Sequence, residues 1–209
     1  MKSKCIVLLT LIIHANSLSQ AIRTIGVKVG GVTANQSWTY SSTPALPTER
    51  RWGIDVGVFF EWFNMPVFSL SSELHFIQKG MKLTLPITTP QNPEGTGEFK
   101  TLSPRVDYFS FPILAKARLN DDVFSPYLVA GPRVDFLLQT KAEGFQAVLD
   151  KFEKVEFGAT VGAGFDIHTF ANGNLGFEFR FSPSLKDGYS TQFLNVRNSS
   201  MEFLIVAGL

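Results

Sequence analysis

From Trp52 to Trp62 the chain alternates without a break. Trp52, Ile54, Val56, Val58, Phe60 and Trp62 fall on one face, and Gly53, Asp55, Gly57, Phe59 and Glu61 on the other. A period of two over this length predicts a strand with one apolar face, since a helix would scatter Asp55 and Glu61 around its circumference. The same pattern recurs along the chain. Ile25, Val27 and Val29 alternate with Gly26, Lys28 and Gly30, predicting a first strand of about a dozen residues. Phe68, Leu70, Leu74 and Phe76 alternate with Ser69, Ser71, Glu73 and His75. In Tyr108–Leu138, Phe109, Phe111, Ile113 and Ala115 oppose Tyr108, Ser110, Pro112, Leu114 and Lys116, and then Leu128, Ala130, Val134 and Phe136 oppose Tyr127, Gly131, Arg133 and Asp135. Asn120, Asp121 and Asp122 form the turn between these two strands, because short Asx side chains bond their own backbone and tolerate left-handed dihedrals. Three more strands follow, built on Val155–Ile167, Leu175–Phe181 and Met201–Leu209, with Asn172-Gly173 as a tight turn between the first two.

Eight strands result, and no segment is left over to cover their apolar faces. The connections alternate in length. Residues 36–51, 80–104, 139–153 and 184–199 are expected to be long loops, and the intervening turns are short. Barrels of the bacterial outer membrane have an even number of antiparallel strands, short periplasmic turns and longer external loops. The expected fold is therefore all-β, an eight-stranded antiparallel up-and-down transmembrane β-barrel with both chain ends in the periplasm. Its direct partner is outer-membrane lipid.

The face opposite the apolar one carries Asp55, Glu61, Glu73, Lys116, Arg133, Asp135, Glu156, Asp166, Glu178, Arg180 and Glu202. A basic side chain facing lipid at mid-bilayer costs ~2–4 kcal/mol, so these charges are expected to point inward as a lumenal network. An eight-stranded barrel is just wide enough for side chains to fill it. The expected lumen is plugged, a packed polar filling of ion pairs, with a selective conducting lumen as the alternative. Pro112 and Pro132 lie mid-strand at similar heights on adjacent strands, which predicts a paired bulge.

The stretch Tyr108–Lys116, followed by Ser125-Pro126-Tyr127-Leu128 and Ala130-Gly131-Pro132, resembles the central hairpin of the small outer-membrane β-barrels of PorT-like type found in Bacteroidota. The resemblance implies an outer-membrane barrel and no single biochemical activity.

Composition adds three points. The chain has 209 residues, which suits one domain, and its net charge of +1 gives no reason to expect a nucleic-acid partner. Residues 1–21 read as a secretory signal peptide, with Lys2 and Lys4 ahead of the apolar run Cys5–Ile13 and small residues at Ser19-Gln20-Ala21. That run is shorter than the ~20 residues that cross a bilayer as a helix. Residues 22–209 are then the barrel domain, and the one cysteine, Cys5, lies in the leader.

Chemistry is sparse. No Cys/His cluster has metal spacing, no glycine run opens a helix as a phosphate loop does, and no cofactor is expected. Ser71, Glu73 and His75 share a strand face, but Ser71 and His75 stand about 13 Å apart at ~3.3 Å per residue, too far for direct proton transfer. No catalytic residue is assigned. The expected function is non-enzymatic, with a structural, adhesion or secretion-accessory role through the external loops. An outer-membrane lipid-modifying enzyme and a secreted soluble barrel enclosing an apolar ligand remain as alternatives. Among the loops, 80–104 is the longest and carries basic charge at Lys79, Lys82 and Lys100, and it is the candidate contact for a protein partner. Trp38 and Tyr40 are candidates for external contact or for an interfacial aromatic girdle.

Overall fold

The computed structural model describes residues 22–209 apart from 43, 64, 91, 94, 120–122 and 169–172. The leader 1–21, the Asn120–Asp122 turn, and Asn64 and Asn172 of two other turns lie outside the described residues. The strands are β1 Ile22–Tyr40, β2 Glu49–Trp62, β3 Phe68–Pro86, β4 Phe99–Leu102, β5 Arg105–Arg118, β6 Phe124–Lys141, β7 Val155–His168, β8 Asn174–Pro183, β9 Tyr189–Ser190 and β10 Leu194–Gly208, with one short helix, α1, at Gln146–Leu149. Eight of them form a ring in the order β1-β2-β3-β5-β6-β7-β8-β10, which β1 and β10 close by pairing antiparallel from Gly26↔Gly208 to Tyr40↔Leu194. The short β4 and β9 pair with β3 and β10. Closure matters because it leaves the ring without an open sheet edge toward lipid.

The strands reach further than the apolar pattern. β1 spans 19 residues rather than a dozen, and its polar end pairs Gln36↔Asn198 and Thr39↔Asn195. Of the four expected long loops, only 41–48, 87–98, 142–154 and 184–193 separate strands, and the last includes the two-residue β9. Beyond the bilayer an outward side chain meets water, so the strand continues without apolar alternation to betray it. The expected bulge at the prolines is absent. The β5–β6 register carries through from Pro112↔Arg133 to Ala115↔Ala130, and the shift falls instead between Asp107 and Tyr108. Long strands held in register on both sides can forgo two ladder donors without slipping.

The alternation settles which face is which. Trp52 is 63% exposed and Ile113 51% exposed on the outer wall, while the charged alternates are buried within. This corrects the alternative of a soluble barrel with its apolar residues enclosing a ligand, because here those residues face outward. From Trp52 to Trp62 the strand runs about 33 Å at ~3.3 Å per residue, and a ~40° tilt brings this to about 25 Å, the height of a lipid-facing band. Ile113 sits near the middle of β5. Ile113→Arg is expected to lower folding free energy by ~2–4 kcal/mol in phospholipid vesicles, read from urea unfolding. An unchanged midpoint would place that wall outside the bilayer.

Candidate functional site

The barrel interior is filled in layers. All eleven charged residues named above are buried. Nearest the short turns, Lys116 Nζ lies 2.9 Å from Asp166 and 3.4 Å from Glu61. Glu61 also takes Arg118 at 2.5 Å and a hydrogen bond from Ser69 at 2.8 Å. In the middle, Glu73 and Glu178 are held by two cations. Lys28 Nζ donates to both, at 2.9 and 3.0 Å. Arg180 binds Glu73 at 2.7 Å through Nη2 and Glu178 through Nε. Tyr127 donates its hydroxyl to Glu178 at 2.8 Å. Toward the long loops, Lys79 and Arg133 share Asp135 at 2.6 and 3.1 Å, Arg133 lies 3.7 Å from Glu202, and Glu156 accepts from Asn198, Tyr108 and Ser184.

The eleven charges expected inside are eight acidic residues and only three basic ones. Such an excess of buried negative charge would be severely penalised, since a buried ion needs a partner. The structure supplies the missing cations, Lys28, Lys79 and Arg118. Each was visible by phase. Lys28 alternates between Gly26 and Gly30, Lys79 continues the run Glu73, His75, Ile77, and Arg118 follows Lys116 by two. Lys79 was expected near the base of the external loop and instead is fully buried against Asp135, because β3 continues past it to Pro86.

His75 sits at the centre. Its Nδ1 lies 2.6 Å from Asp55 and its Nε2 2.9 Å from Glu73, an arrangement that a doubly protonated ring satisfies on both sides. Ser71 donates to the other oxygen of Glu73 at 2.8 Å, so Ser71 and His75 are bridged by a carboxylate and do not touch. The ring lies flat over Gly57, where a Cβ would come 2.6 Å from its Cγ. Beside it, Asp55, Ser110, Arg133, Thr160, Arg180 and Glu202 surround a void of about 10 Å³. That is at the lower limit for a single water molecule. No group of carboxylates, histidines and cysteines with metal-binding geometry occurs among the described residues.

Above the charges the interior turns apolar. Trp38, Ile77, Met81, Val106, Tyr108 and Val196 project inward from the strands, and Leu149 and Phe152 come down from the connection between β6 and β7. Trp38 is 1% exposed, with its ring 5.1 Å from Phe145 edge to face. This overturns both expectations for Trp38, external contact and interfacial girdle. Its strand has already left the bilayer, where the inward phase offers the only dry environment. Tyr40 packs on the same cluster, half-buried. The lid over the lumen is therefore helix α1 and its flanks, which no sequence periodicity marked.

The likeness of this arrangement to known structures is one of fold. OprG of Pseudomonas aeruginosa superposes over 90% of this chain and 97% of its own with a TM-score of 0.51 at 9% identity. Neisserial surface protein A matches over 88% and 97% at 0.49 and 11% identity, and the Escherichia coli outer membrane protease OmpT over 90% and 96% at 0.45 and 8% identity. No curated protein sequence matches the chain. The profile described as "Outer membrane protein beta-barrel domain" matches residues 16–189 and so runs from ahead of the first strand into β9. With the charges enclosed and the apolar alternates turned to lipid, the location is the outer membrane, and the chain belongs to the outer membrane protein beta-barrel domain family.

Proposed function

We propose that this protein is a non-conducting, non-enzymatic barrel that holds its external loops as a binding surface, in a structural, adhesion or secretion-accessory role. The observation that carries the reading is the filled interior, with ion pairs through the middle and an apolar lid at the mouth. The wall is committed to lipid and the lumen to itself, which leaves the connections. The hairpin of β3 and β4 belongs to them, pairing Pro86↔Phe99 and Leu83↔Leu102 and presenting Leu85, Ile87 and the 69%-exposed Phe99. A partner docking there would take this apolar surface out of water. The PorT-like hairpin is consistent with such a role, and residues 1–21 act in this reading as the leader that brings the barrel domain 22–209 to the membrane.

Replacing 87–98 by Asn-Gly is the test. The shortened protein is expected to keep its heat-dependent gel shift, the mark of a folded barrel. It is expected to lose the cross-linked complex that the parent forms in intact outer membranes. A complex that survives the replacement would move the contact to another connection.

One contact favours a second reading, a hydrolase acting on lipid. Ser125 Oγ lies 3.2 Å from His168 Nε2 at the end of the barrel with the short turns. Lipid hydrolysis by the purified protein that Ser125→Ala removes, with the gel shift intact, would establish it.

A further inference from the structure

Just above the lipid-facing band, the outer wall carries a cluster of charge that neither the plug nor the loops use. The β3–β5 register pairs Phe76↔Phe109, Gln78↔Asp107 and Gly80↔Arg105 on one face, and Phe109 is among the exposed apolar residues of the wall. Arg105 therefore stands on the outward face, about 13 Å up the strand from Phe109 at ~3.3 Å per residue. Arg51 reaches the same spot from β2. A Cβ at Gly80 would lie 3.2 Å from Arg51 Cδ and 3.2 Å from Arg105 Cα, so Arg51 crosses the space that the glycine leaves open. Gly80 also has φ +138°, a conformation that favours glycine, which fixes this gap into the backbone.

The Arg51 side chain thus meets Arg105 at this gap, close enough for the two charges to act on each other. Arg105 Nη2 binds Asp107 at 3.0 Å, and Gln139 donates to the same carboxylate oxygen at 2.7 Å. Arg51 Nε and Nη1 and Arg105 Nε are buried with no hydrogen-bond partner. Further positive charge lies alongside. Lys141 pairs with Arg105 across the strands, Lys82 with Glu49, and Arg50 lies next to Arg51. Besides Asp107, the nearby carboxylates are Glu49 and Glu143, and Glu143 is engaged by the Ser103 amide at 2.7 Å. The cluster stays positive overall, and it lies at the level of the lipid headgroups with the Arg105 side chain 20% exposed.

We infer that Arg51 and Arg105, with Lys141 and Lys82 around them, form a binding site for the phosphate group of an outer-leaflet lipid. A phosphate offers oxygens to two planar guanidinium groups at once, and it occupies the headgroup level when its acyl chains lie along Phe109 and Phe76. Basic clusters at a membrane boundary attract such headgroups electrostatically. The inference is independent of the loop reading above, since it concerns the wall and not the connections.

The test uses the full-length folded protein in detergent, with diphosphorylated lipid A as probe. Wild-type protein is expected to retain it at least tenfold more than the dephosphorylated lipid, and millimolar inorganic phosphate should not displace it. Arg51→Gln with Arg105→Gln should remove the preference, while Lys186→Gln, at an exposed loop position, should keep it. The gel shift on heating reports that each variant is folded. If the double variant does not fold, the comparison of the two lipids on the wild type decides alone. Equal retention of the two lipids would overturn the inference. So would displacement by inorganic phosphate, which would mark a simple anion site.

Discussion

Arg180→Met is expected to destabilise the folded barrel by about 3–5 kcal/mol, the cost of leaving buried charges without their partner. Arg180 is 1% exposed and bridges Glu73 and Glu178, and only Lys28 would remain to hold both carboxylates. Methionine fills much of the space, so the loss is one of charge and hydrogen bonds more than of volume. The check is urea unfolding in vesicles, followed by the gel shift. Arg197→Met provides the contrast. Arg197 also meets a carboxylate, Asp187 at 2.8 Å, but its side chain is 56% exposed, and such pairs contribute at most ~1 kcal/mol. Adding Glu178→Gln to Arg180→Met should recover part of the loss, because it removes one of the two stranded charges. Equal, small effects of Arg180 and Arg197 would mean that water reaches the middle of the lumen.

Trp38→Ala is expected to cost ~3–5 kcal/mol, the range for removing a large buried aromatic side chain. The effect should not stop at packing. Trp38 Nε1 donates to Gln36 at 3.3 Å, Gln36 donates to Asn198 at 3.0 Å, and Asn198 donates to Glu156 at 2.6 Å. The indole therefore joins the apolar lid to the outermost ion pairs. With it removed, the segment 142–154 loses the ring beneath Phe145. Protease cleavage within that segment should become faster, while the strands below stay protected. Trp38→Phe should keep most of the stability and lose only the donated hydrogen bond. A Trp38→Ala protein with parental stability and cleavage rate would show that α1 does not seat on the barrel mouth.

Within the bilayer the fold was legible because two solvents act on opposite faces of each strand. Lipid outside and a crowded polar interior force strict alternation, and Trp52–Trp62 displays it residue by residue. Outside the bilayer this constraint lapses. The paired ends of β1 and β10, Gln36–Tyr40 with Leu194–Asn198, read as loops because water on the outer face selects no apolar side chains. The interior was legible in its acids and less so in its bases. Asp55 and Glu178 sit in the middle of unmistakable strands, whereas Lys79 lies beyond the apolar run of β3 and Arg118 at the last residue of β5, where sequence alone does not separate wall from loop. The lid could not be read at all. Trp38, Leu149 and Phe152 are far apart in the chain and come together only when the ring closes, and α1 is too short to give a helical period. Arg51 and Arg105 are a similar case, since their meeting over Gly80 depends on the register of three strands.

The central claim is that the lumen is closed from end to end. Single-channel recording in planar bilayers tests it most directly, with protein that has passed the heat-shift assay and whose insertion is verified by protease protection of its strands. Inserted parent protein is predicted to give no steady conductance, because buried ion pairs from Glu61 to Glu202 and the apolar cluster around Trp38 occupy the interior. Regular, ohmic steps from the inserted parent would contradict the account and make the buried charges the lining of a channel.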